Sequence, residues 1–110
     1  MAIEKSALAA AISDHWEAMK RQKVDVPEWN TTIWFDPLTL AERDEFANLP
    51  GNEFTAEIII KKATDENGKR LFTKADKAQL LDAAAPSVVA RIASRILVAD
   101  TIQVDKLGKP

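Results

Sequence analysis

The segment from Pro86 to about Ala99 constrains the fold of this chain more than any other. Its periodicity predicts a helix, and Pro86 suits the first helical position. The polar residues of this helix fall on one narrow stripe: Ser87, Arg91, Ser94 and Arg95. The rest of its circumference is apolar and exceeds the roughly 100° needed to face one core. Such a helix must be buried on several sides, either centrally in a small bundle or against another chain. The sequence leaves both interpretations open.

Composition indicates an ordinary globular domain without covalent cross-links. The 110 residues are 46% hydrophobic and 29% charged, carry a net charge of −2 and include no cysteine. One domain over 1–110 is expected at this length, with 101–110 as a flexible tail. Without cysteine there is no disulfide, thiol nucleophile or cysteine-bound metal. No secretory signal or membrane span is indicated, and the charge asymmetry between the two halves is too mild for a nucleic-acid-binding tail.

A first helix is predicted from Ser6 to Arg21. Apolar residues recur there at helical spacing, and alanines between them favour a helix by propensity. The apolar positions are Leu8, Ile12, Trp16 and Met19.

A short β-hairpin is predicted over residues 24–36. Valines alternate with a polar residue before Pro27, and a β-branched and aromatic run follows the turn-like pair Asn30-Thr31. Ile33 and Phe35 should share one face, with Trp34 on the other.

Two N-terminal capping patterns predict where short helices begin. Thr39 and Glu42 form a capping box for a helix from Leu40 to about Leu49. Thr73, with Asp76 in the first turn, opens a second helix through Leu80, Leu81 and Asp82.

The segment 54–64 is compatible with two structures. Apolar spacing favours a helix, for which Gly68 could serve as the left-handed terminator. Three consecutive isoleucines and the pair Asn67-Gly68 are also typical of a second hairpin. We favour the helix, which makes the fold class mainly α (α+β): a bundle of about five helices with one short β-hairpin.

No pattern in the chain supports catalysis, a cofactor or a metal site. His15 is the only histidine, and no carboxylates stand at the helical offset that a zinc site would need. The stretch Asp65–Gly68 fails the spacing of an EF-hand loop and is better explained as a turn. The three tryptophans have Glu28 and Asp36 as the nearest charges, which favours packing over base stacking. We therefore expect a protein that is not an enzyme.

The order and spacing of several short motifs resemble the tail assembly chaperones of long-tailed bacteriophages. In the first half these motifs are Val26-Pro27-Glu28-Trp29, Ile33-Trp34-Phe35 and Leu38 to Asp44. In the second half they are Asp65 to Thr73 with Asp76, and Pro86-Ser87-Val88-Val89 leading into Ile92 and Ile96. The resemblance covers about residues 8 to 100, and each motif by itself is an ordinary cap or turn.

The resemblance implies a chaperone that binds the tape-measure protein and keeps it soluble while the tail tube polymerises. Such a protein works in the host bacterial cytoplasm and is absent from the finished virion. The family also implies contact with tail tube protein through a longer, frameshifted product, for which Gly108-Lys109 is a candidate slip position. No nucleic acid or membrane partner is implied, and a homo-oligomer is left open.

Two other functions remain as alternatives at this point. The first is a structural minor tail or head–tail component that stays in the particle. The second is a small regulator that binds nucleic acid through a basic set: Lys61, Lys62, Lys69 and Arg70.

The residues expected to contact a partner come from the closing helix and from two tryptophans. They are Val89, Ile92, Ile96, Leu97, Trp29 and Trp34. The helical residues are chosen because their helix is apolar over more of its surface than one small core should cover.

Overall fold

The computed structural model describes residues 4–99, and the expected flexible tail at 101–110 lies outside them. The helices are α1 Lys5–Met19, α2 Leu40–Glu45, α3 Gly51–Lys62, α4 Lys77–Asp82 and α5 Pro86–Leu97. The strands are β1 Gln22–Val26 and β2 Thr31–Phe35, and short 3₁₀ turns lie at Pro27–Trp29 and Lys74–Asp76. The predicted fold class, a mainly α bundle of five helices with one hairpin, is confirmed.

The hairpin forms as its alternation predicts. β1 and β2 pair antiparallel, with Val24 opposite Ile33, and Asn30 closes the turn in a left-handed conformation at φ 57°. Ile33 and Phe35 are buried, whereas Trp34 lies half-buried on the other face. An isolated hairpin is marginal in water, so its apolar face packs into the helical core.

The core joins the hairpin to α3 and α5. Helix α5 packs against both α3 and β1, and α3 also packs against α4. The fully buried side chains at the centre come from both strands, α3 and α5, and they include Ile33, Ile58, Ile59, Ile92 and Ile96.

The uncertain segment 54–64 is helical, as favoured, and α3 begins earlier than expected at Gly51. The predicted role of Gly68 is wrong, because Ala63 ends this helix in an extended conformation. Gly68 instead takes φ 83° in a turn whose Asp65 carboxylate accepts bonds from the N–H groups of Asn67 and Lys69. This turn brings Arg70 back to pair with Thr64, which also pairs with Trp34 of β2.

Both predicted helix starts are confirmed. The Thr39 hydroxyl accepts the Glu42 N–H at 3.0 Å, while the Glu42 carboxylate accepts the Thr39 N–H at 2.9 Å. Asp76 makes the equivalent bond to the Thr73 N–H at 2.8 Å, which starts a 3₁₀ turn that continues into α4. Helix α2 is shorter than expected and ends at Glu45.

Helix α1 differs from the rest because it packs on almost nothing. Only Met19, at its end, is buried, and all its residues from Lys5 to His15 are exposed. The molecule measures 54 × 30 × 26 Å, an elongated shape that fits a helix projecting from the body.

Candidate functional site

The predicted partner residues of α5 belong to the core. Val89, Ile92 and Ile96 are all buried, and Leu97 lies half-buried against the same cluster. The expectation that this helix keeps a spare apolar face for another chain is therefore wrong. A partner cannot reach Ile92 or Ile96 in this structure.

The prediction of a spare apolar face was wrong because it counted the alanines of α5 as part of the apolar surface that needs to be covered. The exposed side of α5 consists of small or polar residues, among them Ser87, Ala90, Arg91 and Ser94. A surface alanine exposes one methyl group and is common on a helix exterior. The large apolar side chains are buried or half-buried in a helix that packs against α3 and β1, so a single small core covers most of their surface.

An open apolar depression instead runs beside α4, and we call it the α4 groove. Its first part is a cavity of about 180 Å³ lined by Trp29, Phe72, Gln79, Leu80, Ala83 and Ala84. An adjoining cavity of about 270 Å³ shares Leu80 and Ala84 and reaches Leu81, Pro86 and Val89. Two of the six predicted residues, Trp29 and Val89, therefore line this groove.

The local sequence explains why the groove stays open. The capped turn before Lys77 fixes where α4 begins, and α4 ends after only six residues. Three small residues, Ala83 to Ala85, then lead to Pro86 at the start of α5. Because these alanines fill little space, Leu81 remains 39% exposed.

An aromatic pair forms the wall of the first cavity. The rings of Trp29 and Phe72 meet edge to face, with centroids 6.3 Å apart and an interplanar angle of 72°. Both rings are half-buried and pack against the core cluster. Aromatic side chains in this state present large apolar area at low entropic loss, as hot-spot residues of interfaces do.

Ion pairs hold the elements that frame the groove. Glu28, in the turn that carries Trp29, accepts two bonds from the Arg91 guanidinium at 3.0 and 2.6 Å. These bonds lower the pKa of Glu28 to about 2 and raise the pKa of Arg91. Lys77 of α4 contacts Glu57 at 2.9 Å and Glu53 at 3.0 Å, and both bonds raise the pKa of Lys77. The groove itself is left with a mostly apolar lining.

Trp34 lies away from the groove and has other neighbours than the sequence suggested. The Arg21 guanidinium carbon is 4.8 Å from its ring centroid, and the Lys23 ammonium is 5.4 Å away. The expectation that no basic residue lies near is wrong, because Lys23 stands opposite Trp34 in the hairpin register. These cation–π contacts place two positive charges against a half-buried ring.

The basic set considered for nucleic acid is partly neutralised. Lys61 pairs with Glu45 at 3.0 Å, and Lys62 pairs with Glu42 at 3.1 Å. Burial raises the pKa of Glu42, but the Thr39 N–H and Lys62 outweigh it, so the pKa falls below its usual value. A phosphate backbone would have to compete with these carboxylates.

A broad depression of the surface is also unsuited to phosphate. It has a volume of about 770 Å³, lies beside Trp34 and is lined in part by Asp25, Asp65 and Glu66. Their negative charge would repel a nucleic acid backbone.

Within residues 4–99, no group of three or more His, Cys, Asp or Glu side chains is placed to hold a metal ion. Over the same residues, no helix has the length and apolar character needed to cross a membrane. His15 is exposed on α1.

Comparison of the chain with protein-family models, with curated proteins and with solved structures finds no match.

Sequence reasoning missed most of the groove. Leu80 and Leu81 were assigned only to a short helix, and Phe72 only to the motif Asp65 to Thr73, with no role in binding. The one sequence signal was the unbroken small-residue run Ala83 to Ala85, which follows two leucines after a single aspartate. Such a run leaves neighbouring large side chains uncovered, but it becomes informative only once the packing of α5 is known.

Proposed function

We propose that the chain is a tail assembly chaperone of a long-tailed bacteriophage, which binds apolar segments of the tape-measure protein and keeps them soluble in the host cytoplasm. The α4 groove is the surface that carries this proposal. It offers Leu81, Trp29 and Phe72 on one side of a small, net negative protein. A holdase needs this combination, because it must bind apolar surface while remaining soluble itself.

The motif resemblance supports the same role, and its segments coincide in part with the groove. Several resembling segments lie on or beside the groove: the turn that carries Trp29, the Phe72-Thr73 helix start and the beginning of α5 at Pro86. Contact with tail tube protein through a frameshifted product is a further part of the proposal.

The test is co-expression with an apolar, helical fragment of the tape-measure protein encoded by the same phage or prophage. We expect the wild-type chain to keep this fragment in the soluble fraction and the Leu81→Asp variant to lose that ability. The carboxylate introduced at position 81 would become buried when the fragment binds, and the cost of that burial would oppose docking of apolar side chains. Leu81 is 39% exposed, so the variant should still fold.

Leu40→Asp is the matched control. Leu40 is 87% exposed on α2 and lines none of the cavities described, so this variant should hold the fragment like the wild type. An insoluble fragment beside wild-type protein would contradict the chaperone role. Equal activity of wild type and Leu81→Asp would remove the groove as the binding surface.

A further inference from the structure

The projecting helix α1 carries an apolar stripe that the other described residues, up to position 99, leave open. Leu8, Ile12 and Trp16 follow one another at intervals of four residues, so they lie along one side of the helix. Ile12 is 63% exposed, the highest exposure of this stripe, and Trp16 is half-buried. The stripe ends at Met19, which is buried. The stripe therefore runs from a buried residue at the end of α1 to exposed residues along its projecting part.

The base of α1 is braced. Arg21 takes a left-handed conformation at φ 65°, which is costly for a residue with a side chain. Its N–H donates to the Asp36 carboxylate at 2.9 Å, and its guanidinium donates to the Glu66 carbonyl at 2.9 Å. The same guanidinium packs over the Trp34 ring. These contacts fix the orientation of α1 relative to the rest of the fold.

The stripe is self-complementary. Leu8 and Trp16 stand four residues on either side of Ile12, so an antiparallel copy centred on Ile12 places each Leu8 against a Trp16. In this register residues 6–10 of one copy, which carry no charge, lie opposite residues 14–18 of the other, so Asp14 and Glu17 do not face a like charge. Antiparallel packing also aligns the two helix dipoles favourably and puts the two bodies at opposite ends.

We propose that α1 pairs with α1 of a second copy of this chain, antiparallel, about a two-fold axis at Ile12. This is a closed, isologous contact, the commonest arrangement among homo-oligomers. It uses a surface separate from the α4 groove and does not depend on the chaperone role.

The size of the contact sets its strength. Fifteen residues make a helix about 22 Å long, and its contact face is about 10 Å wide. Two such faces bury less than the roughly 1,200 Å² typical of stable complexes. The dimer is therefore weak and forms reversibly with rising protein concentration.

The lack of cysteine makes a sharp test available, since each introduced thiol reports one position. Under mild oxidation at high protein concentration, Ile12→Cys should form a disulfide-linked dimer, because the axis brings the two thiols together. Leu8→Cys should cross-link far less, because its two copies lie about 12 Å apart along the axis, beyond disulfide reach. Ala10→Cys, exposed on the opposite face, is the matched control.

Equal cross-linking at positions 12 and 10 would overturn the proposal, and faster cross-linking at position 8 than at 12 would overturn the antiparallel arrangement. A second measurement uses no cysteine. Sedimentation should show a concentration-dependent dimer for wild type that Ile12→Asp abolishes and Ala10→Asp retains, with helicity checked for each variant. A wild-type chain that stays monomeric at all concentrations would also overturn the proposal.

Discussion

Helices α1 and α5 both carry large apolar side chains at helical spacing, but these side chains are buried on α5 and mostly exposed on α1. The large side chains of α5 are covered by α3 and β1, whereas on α1 only Met19 reaches the core. The difference lies in their neighbours, because α5 packs against α3 and β1 whereas most of α1 projects from the described body. An apolar stripe therefore indicates that burial is needed, and the topology decides whether this chain or another supplies it.

The largest expected effect separates the two helices by stability. Ile92→Ala should lower the free energy of unfolding by about 2–5 kcal/mol, because it opens a cavity at a fully buried site. Ile12→Ala should change it by no more than about 0.5 kcal/mol, because that side chain is exposed. Urea titration at low protein concentration measures both. A large loss for Ile12→Ala with none for Ile92→Ala would reverse the comparison.

A smaller effect concerns the charged side of α5. The Arg91 bonds lower the pKa of Glu28 from 4.5 to about 2, so the pair stabilises the fold above about pH 4.5. This contribution is lost as the pH falls from about 4.5 toward 2, because Glu28 is protonated more readily in the unfolded chain. Unfolding measured against pH should show wild type more stable than Glu28→Gln near neutrality.

The advantage of wild type over Glu28→Gln should shrink across that acid window. A constant difference from pH 7 to pH 2 would show that the Glu28–Arg91 bond does not cause it. Arg91→Gln serves as the control, since it removes the same pair from the other side.

The smallest effect belongs to α1. Glu17 and Lys20 form an exposed pair at 3.1 Å, three residues apart on the same helix. Glu17→Gln should change the free energy of unfolding by no more than about 0.5 kcal/mol, because such pairs are solvated and screened. Thermal unfolding at low and high salt measures it. A loss as large as that of Ile92→Ala would mean that α1 is packed more tightly than its exposure indicates.

Local rules predicted most of the fold. Caps at Thr39 and Thr73, the alternation in the hairpin and the proline at the start of α5 each act within a few residues, so the sequence reveals them directly. The role of Gly68 was missed because a left-handed glycine serves a turn and a helix end equally well.

The candidate site was much less predictable. Trp29 and Val89 were assigned a partner and do line the groove, but Ile92 and Ile96 are core. Whether an apolar residue is covered depends on contacts between distant segments, such as Arg91 with Glu28, 63 residues apart. Periodicity within one helix contains no information about them.

Thiol labelling tests most directly which apolar positions are open to another chain. In single-cysteine variants at low protein concentration, the thiols of Ile12→Cys and Leu81→Cys should react almost as fast as in urea. The thiol of Ala93→Cys, on the buried side of α5, should react about a hundredfold more slowly or less, since it requires local opening of the core. Fast labelling of Ala93→Cys in the folded protein, with protection of Ile12→Cys and Leu81→Cys, would contradict the assignment of α5 to the core and of α1 and the α4 groove to the surface.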